Sequence, residues 1–386
     1  MCNFILTTLK IFNGYCIFYV IVLYEDFTSK GNNISYENYS QIFAAENIGF
    51  GENRTDDCEV CLKFEHHKHE MNQGHDTENC DICQASTIHQ QKAKVARHKY
   101  REKMSQENAY AVDMQKVILI PKLTTKESFF VSRLVCFNET FACGIEGDKS
   151  YAIMWHEGIS GRKAADVTSA YCKFLVESGQ KNPIFWTDNC AAQNKNWVFY
   201  SALAQIVNSP WGPDSISVKY LESGHTFMAA DNIHGTIGKK MRQMNEIIDF
   251  RELTQVVSSS AKNIEVVQMQ LPDFYEFTAA NKARTARNIT LPILADIREV
   301  HFVRESRLMY YKVSHDSTEY EGVDFLRAKF NVEQFPKSHN RPRGITGKKK
   351  EGIIKLLTHV DGLKRKFYND LAINEKAKDL VHSTDA

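Results

Sequence analysis

The chain of 386 residues carries 48 Lys and Arg against 47 Asp and Glu, and 43% of it is hydrophobic. That length suits two or three domains with a sizeable core, and the charge balance excludes both a disordered polyanion and a histone-like basic protein. Any contact with nucleic acid must therefore rest on local patches.

Residues 1–50 form an apolar start followed by "ISYENYSQIFAAENIGFG". The first 24 residues are apolar but interrupted by Asn3, Lys10, Asn13 and Gly14. Their strongest part, Tyr15 to Tyr24, is too short to span a bilayer, and no small-residue cleavage site precedes Glu25. A buried or truncated helix in a soluble nuclear or cytoplasmic protein is the expectation. A membrane anchor is the alternative, and the sequons at Asn33, Asn38, Asn53, Asn138 and Asn288 would accompany it. Tyr36, Tyr39, Ile42 and Phe43 have helical spacing.

Residues 51–105 carry Cys and His. "CEVC" (Cys58, Cys61) and "CDIC" (Cys80, Cys83) hold four of the ten cysteines. Each Cys-x-x-Cys closes a tight turn that points two thiolates at one ion, and two such knuckles complete a tetrahedral structural zinc site. The alternative is four unrelated buried thiols. The other six cysteines are scattered, a pattern of a reducing compartment and not of a disulfide scaffold. Between the pairs, His66, His67, His69 and His75 read as a solvated loop from which one residue could join a metal. The segment is poor in apolar residues, so a metal would supply much of its folding free energy. The following "QASTIHQQKAKVARHKYREKM" reads as a helix with a basic face, suited to phosphates or simply to water.

Residues 106–250 alternate strands and helices. "AYAVDMQKVILIP", "FFVSRLVCFNETFACG" and "KSYAIMWHEG" read as three strands in a meander. A helix follows, with Val167, Ala170, Tyr171, Phe174 and Leu175 on one face. "NPIFWTDN" is a fourth strand, "NKNWVFYSALAQIVNS" a helix, "SISVKYLESGHT" a fifth strand, and "AADNIHGTIGKKMRQ" a last helix. In this order the first and fourth strands lie side by side. Asp113 on the first, Asp188 at the end of the fourth and Asp231 in the last helix can then converge. Three carboxylates around one point raise each other's pKa, and Mg²⁺ or Mn²⁺ relieves that strain.

The layout resembles the ribonuclease H-like core of transposases and retroviral integrases, with "WTDNCAAQN" similar to the strand-end Thr-Asp-Asn of those integrases. A closer resemblance, over roughly residues 35 to 370, is to an animal family of transposase-like proteins, abundant in insects and described mainly as a domain of unknown function. It rests on "ISYENYSQIFAAENIGFG", the paired Cys-x-x-Cys, "VDMQKVILIPKL", "MWHEGISGRKAADVTSAYCKFL", "WTDNCAAQNKNW", "YLESGHTFMAADNIHGTIGKKMRQ" and "RPRGITGKKKEGIIKLL". The resemblance implies Asp113, Asp188 and Asp231 as a metal-binding triad for DNA strand cleavage and transfer. Many such enzymes use Glu as the third acid, and the first Glu after Asp231 is Glu246. Glu157, His225 and His234 are secondary candidates, each with a structural alternative.

Residues 251–386 read as a mixed extension. It contains "KSHNRPRGITGKKK", whose Arg341, Arg343, Lys348, Lys349 and Lys350 suit phosphate contact or a solvated linker. The expected fold is thus a ribonuclease H-like α/β core with a mixed five-stranded sheet and flanking helices, an N-terminal zinc module and a C-terminal basic extension. The expected function is that of a transposon-derived nuclease with DNA as partner and homo-oligomerisation open. The alternative is an inactive remnant acting as a zinc-containing DNA- or protein-binding module.

Overall fold

The computed structural model describes residues 24–25, 27–45, 58–70, 75–106, 108–283, 290–360 and 362–380. The apolar start over residues 1–23 and the sequons at Asn53 and Asn288 lie outside them. The chain divides into two compact units, Met1–Asp76 and Thr77–Ala386. Among the described residues no helix is long and apolar enough to cross a membrane.

In the first unit, α1 (Tyr36–Ala45) is the helix that the spacing of Tyr36, Tyr39 and Ile42 predicts. Tyr39 is buried, with its ring 5.5 Å from that of Tyr24 and 5.3 Å from that of Phe27. Helix α2 (Glu59–Glu70) starts immediately after Cys58.

The second unit is a mixed α/β fold that opens with α3 (Asp81–Lys103), immediately after Cys80. Its strands are β1 (Ala109–Met114), β2 (Ile118–Ile120), β3 (Leu134–Cys143), β4 (Ser150–His156), β5 (Ile184–Thr187), β6 (Ser215–Tyr220), β7 (Ile264–Gln268), β8 (Glu299–Val303), β9 (Met309–Lys312) and β10 (Glu321–Val323). They form one ten-stranded sheet in the order β10-β9-β8-β6-β5-β1-β3-β4-β7, with β2 paired to β3. The β1-β3-β4 meander is antiparallel, whereas β5 runs parallel to β1 and β6 parallel to β5. The expected neighbourhood of the first and fourth sequence-predicted strands is therefore present, as β1 beside β5.

The sheet is twice as wide as the five strands expected. The reason lies in residues 251–386, whose short strands gave no clear alternation: β8 adds antiparallel to β6, and β7 adds parallel to β4. Two sequence-predicted strands also break. The first splits into β1 and β2 around Gln115–Val117. The second loses its start to a single turn, α4 (Glu127–Phe130), whose Phe129 and Phe130 are exposed.

Strand alternation sorts side chains to two buried faces. On one face, Phe137, Phe141, Ile153 and Trp155 pack against α5 (Ala164–Ser178) and α6 (Trp197–Val207). Phe141 stacks on Phe174 at 4.2 Å between centroids. Each such fully buried ring contributes about 1.5–3 kcal/mol of transfer free energy. On the other face, Leu134, Cys136, Ala152 and Met154 pack against α7 (Ala229–Gln243), α8 (Phe250–Ser258), α9 (Gly347–Leu356) and α10 (Gly362–Asn369). A third cluster on this second face joins Ala96 and Tyr100 of α3 to Ala109, Ala111 and Trp186. Tyr100 meets Trp186 edge to face at 5.6 Å, and its hydroxyl accepts the Ala229 N–H, fixing where α7 begins. Helix α3 is thus a packed element with a solvated basic side, bearing Lys92, Lys94, His98 and Arg101.

Candidate metal centre

Asp113 lies near the carboxyl end of β1, whose pairing with β5 sets Ala111 opposite Trp186. Continuing that register by two residues brings Asp113 level with Asp188, which follows the last residue of β5. Strands in this relation run about 4.8 Å apart. Across β1's other edge, Thr140 of β3 is opposite Asp113. Helix α7 packs over β1 and β3 and supplies Asp231 and, one turn on, His234.

Asp113, Asp231 and His234 offer ligand atoms all within 4.8 Å of one another. Asp188 stands outside that set, on the neighbouring strand end. Its Oδ1 accepts from the Cys190 N–H at 3.1 Å and from Asn194 Nδ2 at 2.8 Å, which fixes the carboxylate's orientation. Asp231 Oδ2 accepts the Met228 N–H at 2.7 Å, so one oxygen caps α7. The helix-cap and ligand readings of Asp231 are therefore compatible.

His234 is the residue that the sequence placed second and the geometry places in the cluster. Its signal was the Asp-x-x-His spacing, which sets both side chains on one helix face. Its Nδ1 is 3.7 Å from Asp113 Oδ2 and its Nε2 is 3.0 Å from Thr140 Oγ1. Burial pushes its pKa down to about 4, so the imidazole is neutral at pH 7. The tautomer in which Nε2–H donates to Thr140 would turn the Nδ1 lone pair toward the cluster, the arrangement of metal-binding histidines.

A second residue missed in the sequence is Glu139 of β3. It is 2% exposed and its Oε2 has no hydrogen-bond partner. Burial raises its pKa well above the carboxylate range, and the charges of Asp113 and Asp188 raise it further. Lys195, also buried, donates to Asn189 Oδ1 at 2.6 Å and lies 4.6 Å from the Tyr220 ring centre. Burial, then Arg298, lowers it to about 7. Glu246 lies beyond α7 and is exposed. Glu157 is taken by Lys349 and Arg343, whose nitrogens approach its carboxylate at 2.5 and 3.3 Å.

The cysteines and histidines of the paired motifs are divided between the two units. In the first, Cys58 and Cys61 sit at the start of α2, and His67 Nε2 lies 3.3 Å from His75 Nε2. His66 is exposed. In the second, Cys80 and Cys83 sit at the start of α3, and the His89 and His225 rings are 5.0 Å apart. The amide of Cys83 lowers the Cys80 thiol's pKa, favouring the thiolate that a metal needs.

The basic stretch divides by environment. Lys349 is buried between Glu157 and Asp379, and Lys350 Nζ donates to the carbonyls of Asn369 and Leu371. Arg343 is half-buried against Glu157, while Arg341 and Lys348 are exposed.

Fold and donors together define a mixed α/β protein with a carboxylate-and-imidazole cluster at its strand ends. A family model described as a domain of unknown function, DUF7869, matches residues 184–316, from the first residue of β5 to just past β9. The match includes Asp188, Asp231 and His234 and leaves out Asp113. No curated protein and no solved structure matches the chain.

Proposed function

We propose that the protein is a transposase-like, divalent-metal-dependent nuclease with a ribonuclease H-like core, acting on DNA phosphodiesters through Asp113, Asp188 and Asp231, with His234 as an added ligand. The observation that carries this reading is the meeting of Asp113, Asp231 and His234 beside the strand end that bears Asp188. The strand sequence β4-β3-β1-β5-β6, a meander followed by parallel strands, supports the core assignment. Carboxylate oxygens with one neutral imidazole suit Mn²⁺ or Mg²⁺. Bound there, such ions would polarise the phosphodiester and activate the attacking hydroxyl or water. The protein's own part is positional. Asn194 and the Cys190 amide aim Asp188, Thr140 orients His234, and the α7 cap holds Asp231 toward Asp113.

Zinc held by the Cys-x-x-Cys pairs belongs to the same proposal, as a structural ion. A non-catalytic binding module is the second reading, favoured by Asp188 standing outside the group formed by Asp113, Asp231 and His234. Nicking of supercoiled plasmid with Mn²⁺ separates the two. The full chain is expected to nick, and Asp188→Asn to lose activity by several orders of magnitude with an unchanged fold. Equal plasmid cleavage by wild type and variant, or none by either, leaves only the binding module.

A further inference from the structure

A cleft of about 650 Å³ opens between the turn after β4 and the C-terminal segment, and none of the acids discussed above lines it. Its cations come from three separated stretches: Arg162 and Lys163, Arg341, and Lys376 and Lys378, with His339 beside them. The acids on its wall are Asp166 and Glu276. Asp166 is already engaged, its Oδ1 accepting from Ser160 Oγ at 2.5 Å and its Oδ2 from the Lys163 N–H at 2.9 Å. With Arg343, which also lines the cleft and pairs with Glu157, six formal positive charges face two negative ones on its wall.

The cleft is built, not a chance gathering of surface lysines. Backbone hydrogen bonds lace its walls: Arg343 N–H to the Ile159 carbonyl, Gly344 N–H to that of Gly158, and Ile345 N–H to that of Ala372. Trp155 Nε1 donates to the Gly161 carbonyl at 2.8 Å and pins the turn. Gly344 has φ +73°, and a Cβ there would lie 3.0 Å from the Ala372 carbonyl, so the close approach of these two segments requires glycine. Beneath the floor, Glu157 holds Arg343 and Lys349, anchoring the loop that carries Arg341. The walls thereby gather guanidinium and ammonium groups from separate stretches around one opening, and such groups together favour phosphate.

We propose that this cleft is a phosphate-binding site, distinct from the acid cluster, for either the backbone of a nucleic-acid strand or a free nucleotide polyphosphate. The phosphate chemistry is shared by both sources, and the site stands whether or not the acid cluster is catalytic. Full-length protein is titrated with ATP without added metal and, separately, with a fluorescent 12-nucleotide single strand, at two salt concentrations. The comparison is with Arg341→Ala/Lys376→Ala, two exposed positions whose loss is expected to leave the melting temperature unchanged. At least one probe is expected to bind, with affinity falling as salt rises and falling at least tenfold further in the double variant. Saturable ATP binding without strand binding assigns the free polyphosphate. Strand binding that ATP displaces poorly assigns the backbone. Asp188→Asn is expected to bind as wild type, which separates this site from the proposed metal centre. Failure of both probes, or equal binding by the double variant, overturns the proposal.

Discussion

In the proposed metal centre, His234 would decide how the acid cluster holds a cation. Its Nε2 contact to Thr140 leaves Nδ1 turned to Asp113. His234→Ala is expected to weaken Mn²⁺ binding by tenfold or more, and Thr140→Val, which removes only the orienting contact, by less. Calorimetric Mn²⁺ titration of the three proteins checks this; equal affinities would remove His234 from the site. His156 shows the same burial without the metal role. It is 5% exposed, its Nδ1 lacks a hydrogen-bond partner, and burial lowers its pKa to about 4. A histidine that folds with a lowered pKa binds fewer protons than the unfolded chain between pH 6.5 and 4. Its contribution is complete above pH 6.5 and is lost on acidification through that window, about 3 kcal/mol for a shift of this size. Glu299 acts lower. Burial raises its pKa, but the His315 hydrogen bond and Lys219 outweigh this and hold it at about 2. Its share is therefore lost between pH 4.5 and 2. Urea melts at pH 6.5, 5.5, 4.5 and 3.5 should show falling stability, and His156→Leu should reduce the slope above pH 4.5, where His234 supplies the rest, while leaving the decline below it.

At the level of elements, the sequence announced those with strong periodicity and hid those held by partners. The helical face of Val167, Tyr171 and Phe174 is buried as its spacing requires, and α5 ends where Gly179 takes φ 65°. Asp113 and Asp188 were legible because strand order alone makes β1 and β5 neighbours. Glu139 was not, because nothing in "CFNETF" tells a buried acid from a polar residue on an open sheet face. Lys349 was misplaced for a related reason. A run of lysines at a helix start reads as solvated, yet Lys349 closes on Glu157, the acid that also holds Arg343 across 186 residues of chain. Removing one partner from such a buried pair strands the other charge. Glu157→Ala is expected to cost about 3–5 kcal/mol, whereas Lys348→Ala, at an exposed site, stays within about 0.5 kcal/mol. Thermal melts of the two variants make the comparison, and similar values would show the Glu157 network to be unimportant. The Cys-x-x-Cys pairs were legible from spacing, and each pair sits at a helix start. Cys80→Ser/Cys83→Ser is expected to lower the zinc content of purified protein; unchanged zinc would place the metal elsewhere.

The second unit as a whole depends on its late strands. β6 would be the edge of the sheet if the chain stopped after α8, since its outer partner is β8, paired over Ser215–Lys219 with Glu299–Val303. The seal is more than backbone pairing. Glu299 of β8 binds Lys219 of β6 at 3.0 Å and His315 at 3.1 Å, and His315 Nε2 reaches the Tyr220 carbonyl. Lys219 and His315 both pack on Trp186, whose indole fills the layer beneath α3. Phe302 and Phe325 likewise complete the α6 side of the core. Residues 106–250 alone therefore expose a six-residue hydrogen-bonding edge and leave Lys219 buried without its acid. That fragment is expected to aggregate or to stay partly unfolded, whereas residues 77–386 should melt cooperatively as one transition. Glu299→Gln should lower the melting temperature of the longer protein by several degrees, because it leaves Lys219 without a counter-charge in a largely buried site. Should residues 106–250 be recovered as a soluble monomer with a cooperative melt, the late strands would be an accessory layer and not part of the folding unit that holds Asp113, Asp231 and His234 together.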